Sequence, residues 1–179
     1  VVGYRSLLVA ALATLLACDA PAQSPQWDVE IDPAAYALHG YSLHVGLNSG
    51  HMRYELGAYA ADVPRWMHGN KGFDASMRGV GAKLHYYFGE THEAWFAGIG
   101  FGPSRERIEH RASSDTTTRT LYGAGVEAGY RFRLGGGFYA TPWAGLEYLP
   151  RARDVTLDGE RYADKRVLPF AAVHVGYAF

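Results

Sequence analysis

Apolar and polar residues alternate with a period of two along most of this chain, the period of strands whose two faces meet different surroundings. Tyr41, Leu43, Val45 and Leu47 alternate with Ser42, His44, Gly46 and Asn48. The same alternation runs through 52–60, 79–88, 95–102, 122–132 and 138–148, and again through Val173, Val175, Tyr177 and the terminal Phe179. An eighth strand is expected at Trp27, Val29 and Ile31, which alternate with Asp28, Glu30 and Asp32. A lumenal plug, or a short helix starting at Asp32-Pro33, is the competing reading of 26–40. The strand is preferred because single-chain bacterial barrels carry an even strand count. Pro142 and Pro169 each remove a ladder donor and predict a bulge or a strand end.

One face of these strands carries Val, Leu, Ala, Tyr, Trp and Phe, and the other carries glycine with scattered Arg, Glu, Lys and His. A water-soluble barrel would bury the first face and hydrate the second. A membrane barrel does the reverse, and its narrow lumen favours small residues and paired charges. The predicted fold is therefore all-β: an antiparallel, up-and-down transmembrane β-barrel of eight strands. Short turns at 48–51, 89–93 and 133–137 alternate with long polar links at about 33–40, 62–76, 105–117 and 150–165. That is the pattern of periplasmic turns and extracellular loops. Aromatics crowd the short-turn ends (Tyr86, Phe88, Trp95, Tyr130, Phe132, Phe138, Tyr177, Phe179), where interfacial rings settle.

The other terminus points to the same compartment. Arg5 precedes an apolar run, Leu7 to Ala17, too short to span a bilayer, which needs roughly 20 residues. It has the character of a signal-peptide core, and Ala20-Pro21-Ala22 offers a small-x-small cleavage site. Residues 1–22 are expected to be a leader and 23–179 the barrel. Leu15-Leu16-Ala17-Cys18 is a rival lipoprotein box. Cleavage after Ala22 is preferred, because an integral barrel has little need of a lipid anchor. It would remove the chain's single cysteine, leaving no disulfide staple and no thiol chemistry. The net charge of −1 argues against nucleic acid as a partner.

Over the whole mature chain the pattern resembles small bacterial outer-membrane barrels of the OmpA and OmpX-like class, and the motif-like part is the C-terminal signature. The resemblance implies residence in the outer membrane as a monomer. It also implies contact with outer-membrane lipid and lipopolysaccharide, and recognition of Val173, Val175, Tyr177 and Phe179 by the barrel-assembly machinery. It reports assembly rather than activity.

Candidate chemistry is sparse. The clusters Gly98-Ile99-Gly100-Phe101-Gly102 and Gly123-Ala124-Gly125 have the spacing of one barrel face, and no helix follows to hold a phosphate, so no nucleotide cofactor is expected. The inward polar set is His44, Arg53, Glu55, Lys83, His85, Glu127, Arg131, Glu147 and His174. Three imidazoles facing one space are potential metal ligands. The alternative, adopted here, is an ion network filling the lumen, in which Glu55, Glu127 and Glu147 offset Arg53, Lys83 and Arg131, since buried charges need partners. His110, Ser113, Ser114 and Asp115 contain the parts of an activated nucleophile, as a lipid A-modifying enzyme would need. A flexible polar loop explains them equally, and no enzymatic activity is expected. Trp66, Met67, His68 and Phe73 are read as an adhesive loop surface or a cap over the barrel mouth. A narrow solute pore is a further alternative, disfavoured because eight strands leave room only for side chains.

Overall fold

The computed structural model describes residues 25–179. The leader expected over 1–22, its cleavage site and Cys18 lie outside the described residues. The strands are β1 (Gln26–Ile31), β2 (Tyr41–Ser49), β3 (Met52–Val63), β4 (Phe73–Tyr87), β5 (Trp95–His110), β6 (Thr116–Tyr130), β7 (Phe132–Gly135), β8 (Phe138–Tyr148), β9 (Val155–Leu157), β10 (Glu160–Tyr162) and β11 (Val167–Ala178). Two short helices, α1 (Pro33–Ala37) and α2 (Arg65–His68), lie in the links after β1 and β3. Among the described residues no helix is long and apolar enough to cross a membrane. The chain crosses with strands.

Neighbouring strands pair antiparallel in sequence order, and β11 closes the ring on β1 through Asp28↔Ala178 to Ile31↔Val175. β6 and β7 count as one wall strand because both pair with β8 in a single register, Gly129↔Trp143 and Phe132↔Ala140. The wall thus has eight strands. Pro142 lies where the β6 ladder on β8 stops, and its missing N–H accounts for the interruption at Arg131. No register shift occurs there; the bulge falls instead between Arg133 and Gly135. Pro169 pairs with Leu146 in unbroken register, so the expected bulge or strand end is not found at that position. It is tolerated above Val175, the last residue of β11 that β1 reaches.

The stretch 26–40 is both a strand and a helix. β1 ends at Ile31, and Asp32 then caps α1 by accepting a bond from the Ala34 N–H at 2.9 Å, with Pro33 in the first turn. At the opposite end, Gly135, Gly136 and Gly137 take φ of 101°, 59° and 88°, so the β7–β8 turn needs residues without a Cβ penalty.

The links at the end away from the termini are shorter than the sequence predicts. Strands reach Val63, restart at Phe73, and run on to His110 and from Thr116, so the links expected at 62–76 and 105–117 shrink to 64–72 and 111–115. A small core holds these extensions. Phe73, Ala75, Ile108 and Tyr162 are buried together, with Val63, Val155 and Leu157 packed against them. The β9–β10 hairpin supplies Tyr162, Val155 and Leu157, and so roofs the extended β4 and β5.

Candidate functional site

Pairing register fixes which side chains face inward. Asp28, Gly46, Glu55 and Lys83 lie in one row across β1 to β4, and His85, Gly98 and Glu127 in another across β4 to β6. Their neighbours one residue along point the other way. Leu56, Phe101, Val126, Val80 and Leu146 are all more than half exposed. A wall with bare hydrocarbon outside and charge inside makes sense only in lipid. A second set of exposed aromatics, Tyr41, Phe101, Tyr122 and Tyr148, sits toward the loop end. Both rims therefore carry rings. Aromatic placement alone does not tell the two ends apart, and link length is what distinguishes them.

The interior row meets as one ion network. Arg53, 1% exposed, lies 2.7 Å from Asp28 and 3.2 Å from Glu30, and also pairs with Glu55. Arg131 reaches Asp28 at 3.4 Å and Glu30 at 3.3 Å. Lys83 holds Glu127 at 3.0 Å while its ammonium sits 3.8 Å from the centre of the Trp143 ring. The histidines do not gather on a common point. Each takes its own carboxylate: His44 with Glu55 at 2.7 Å, His85 with Glu127 at 2.5 Å, and His174 with Glu30 at 3.0 Å. Among the described residues no group of His, Cys, Asp or Glu is arranged to hold a metal ion.

The network differs from the expected one at two places. Glu147 lies on the inward row but has no ion pair among the described residues, so it is not the third balancing acid. Asp28 and Glu30, on the short first strand, take that place, and Asn48 supports Asp28 through a 2.6 Å hydrogen bond. Asp28 and Glu30 were legible as the polar face of β1. Their partners were not, because Arg53 reaches Asp28 across the intervening β2. Toward the short-turn end Tyr87, Phe96, Tyr139 and Trp143 also point inward, and Arg131 stacks 4.1 Å from the centre of the Tyr139 ring. The cavity left among Glu30, Arg53, Glu127, Thr141, Trp143 and His174 is about 10 Å³, on the order of one water.

A second charged cluster lies higher, in the stretch read from sequence as loop. Arg119 bonds Glu106 at 2.7 Å and pairs with Asp164 at 2.6 Å, and Tyr162 donates to Glu106 at 3.3 Å. Asn70 and Ala163 exchange two hydrogen bonds, of 3.0 and 2.9 Å, tying the α2 link to the last one. In that last link the Asp164 N–H and Arg161 hold the Asp154 carboxyl below its usual range. Trp66 stays 79% exposed on α2, whereas His68 and Phe73 are buried.

The candidate nucleophile cluster is only partly assembled. His110 Nδ1 lies 2.9 Å from Ser113 Oγ. Asp115 does not approach the imidazole; its N–H donates to Ser113 Oγ at 3.3 Å. The carboxylates near His110 are Glu160 at 3.4 Å and Asp158 at 3.7 Å, both from the β9–β10 hairpin. The Ser114 N–H is engaged by the His110 carbonyl at 2.8 Å. The Ser114 and Asp115 N–H groups beside the serine are thus committed to the turn, and neither is free to stabilise an oxyanion. Ser114, at φ 60°, is a turn residue.

Val173, Val175, Tyr177 and Phe179 lie on the lipid face of β11. Phe138 packs edge-on against Tyr177 at 4.9 Å, and the Phe179 N–H bonds the Trp27 carbonyl at 2.9 Å. The last strand is thereby pinned to the first.

A closed eight-stranded ring, apolar outside and ion-paired inside, defines a small integral outer-membrane barrel. A family model for the outer membrane protein β-barrel domain matches residues 9–179, and the chain belongs to that family. A major outer membrane protein from Thermus thermophilus has a similar structure at 10% identity, with a TM-score of 0.56 over 88% of this chain and 100% of that one. Neisserial surface protein A (TM-score 0.49, 14% identity, 86% and 94% covered) is a more distant likeness. So is the N-terminal barrel domain of Pseudomonas aeruginosa OprF (0.48, 16%, 88% and 99%). No curated protein sequence matches the chain. The protein resides in the bacterial outer membrane.

Proposed function

We propose that this barrel is a closed, non-enzymatic outer-membrane protein that acts through the folded surface at its loop end, in a structural or adhesion-like role. The observation that carries this reading is the filled lumen. Arg53, Asp28 and Glu30 meet across the interior with both Arg53 and Asp28 essentially unexposed, which supports a lumen blocked by side chains at that level. The loop end is a built surface rather than loose chain, roofed by the β9–β10 hairpin and presenting Trp66. Exposed aromatics on a rigid support suit contact with a partner surface. The long links are taken to face the cell exterior, as in other barrels of this kind.

Two measurements test the reading together. Epitope tags inserted at Ser114 and at Asp158 are expected to be reachable by antibody on intact cells, and the purified barrel in planar bilayers is expected to be silent. Discrete conductance steps would make it a pore. Tags reachable only after permeabilisation would reverse the orientation. Loss of acyl chains from labelled lipid A incubated with the barrel, abolished by Ser113→Ala, would make it an enzyme.

A further inference from the structure

Arg78 on β4 and Arg105 on β5 are directly opposed in the ladder. Both share the parity of the lipid-facing residues Val80, Ala82, Ile99 and Phe101, and both are exposed. Like charges facing each other across strands are destabilising, so a bare pair of this kind calls for a counter-charge. Among the described residues neither guanidinium has an ion-pair partner, whereas their neighbours do: Arg107 takes Glu109 at 2.8 Å, and Arg65 and Arg111 take Asp74 at 3.6 and 3.4 Å.

Depth gives the counter-charge its chemistry. Val80 and Phe101 are the last strongly apolar outward residues below the pair, and Tyr122 stands beside Pro103 on β6 at the same rim. Rings of this kind sit at headgroup level. Arg78 and Arg105 therefore lie where phosphates are found, directly above a surface that acyl chains would cover. Thr120 faces Arg105 and Thr118 faces Arg107 on β6, adding hydroxyl donors beside the guanidinium forks. Planar guanidinium groups match phosphate oxygens two at a time.

We infer that Arg78 and Arg105 form a phosphate clamp on the outer wall, fitted to the phosphorylated headgroup of a glycolipid in the leaflet at the loop end, with its acyl chains lying over Val80 and Phe101. In the orientation given above this lipid is lipopolysaccharide. The clamp rests on that orientation for its biological ligand, but not for its chemistry. A binding assay in detergent can therefore fail or succeed independently of the tag experiment.

The test uses the refolded full barrel in zwitterionic detergent, titrated by native mass spectrometry with bis-phosphorylated lipid A, with the same lipid dephosphorylated, and with inorganic phosphate. Arg78→Gln with Arg105→Gln is expected to weaken lipid A binding at least tenfold, and removal of the lipid phosphates to do the same. Arg133→Gln at the other rim is expected to change nothing. Without lipid, Arg105→Gln alone should leave thermal stability unchanged or raised, because it removes a repulsion. Equal binding by the double variant and the parent would overturn the clamp. Full competition by millimolar inorganic phosphate would overturn the lipid as its occupant. A fall in lipid-free stability on Arg105→Gln would make the pair a structural element instead.

Discussion

Arg53 Nη2 lies 2.7 Å from Asp28 Oδ1, although the two residues stand on strands that do not touch. The contact passes over Gly46 of β2. A Cβ there would come within 2.4 Å of Asp28 Oδ1 and 2.6 Å of Arg53 Nε. The central ion pair thus depends on the absence of one methyl group. Gly46→Ala is expected to lower stability by about 1–3 kcal/mol through overpacking of a charged core. Urea titration of the barrel refolded into lipid vesicles measures this, and an unchanged midpoint would remove the packing argument.

The inner and outer faces differ in the kind of change they tolerate. Val126 faces lipid and Glu127 the lumen, where Lys83 and His85 both bond it. Val126→Arg near the bilayer midplane should cost about 2–4 kcal/mol. Glu127→Gln keeps the shape but removes the charge and should cost about 1–3 kcal/mol. Parallel vesicle refolding of both variants checks the ordering. A neutral Val126→Arg would contradict the assigned faces.

His92 gives the short-turn end a pH dependence. Burial, then the nearby Arg131, lowers its pKa from 6.5 to about 4. A base with a depressed folded pKa is neutral when folded while the unfolded chain already binds a proton, so stability rises with pH between those two values. The contribution is complete above about pH 6.5 and lost progressively down to about pH 4. His92→Asn should flatten this part of the profile. Denaturant midpoints at pH 7, 5.5 and 4.5 for both proteins supply the comparison.

Phe179 is proposed to act mainly in assembly. Its deletion removes a bond to Trp27 and one exposed ring, a small loss for a finished barrel. The expected result is less heat-modifiable protein in the membrane at unchanged denaturant stability of the fraction that folds. Normal membrane levels would end the proposal.

Alternation alone placed every wall strand, because lipid outside and charge inside impose the same two-residue period on each. It did not reveal how far β4, β5 and β6 extend. Beyond Arg78 and Arg105 the outward face turns polar with Ser76, Asp74, Arg107 and Glu109, while Phe73, Ala75 and Ile108 are buried under Tyr162, so the lipid-facing pattern no longer marks the strands. Nor did it give the partners in the lumen. Period fixes the face of Glu147 and of Glu30, but which of them meets an arginine depends on height along the barrel and on glycine gaps such as Gly46. The cluster at His110 shows the same limit. Neighbouring Asp115 was legible, whereas Glu160, brought in by a hairpin fifty residues on (Glu160 − His110), was not.

β1 pairs with β11 from Asp28 to Ile31, extended by the one bond from Phe179 to Trp27, whereas β8 holds β11 from Val167 to Tyr177. The backbone ladder is therefore thinnest where the first and last strands meet. In hydrogen exchange, amides along this seam should lose protection before those of the β4–β5 and β5–β6 hairpins. Mechanical or thermal opening should begin by parting the two ends of the chain while the remaining strands stay together as a curved sheet.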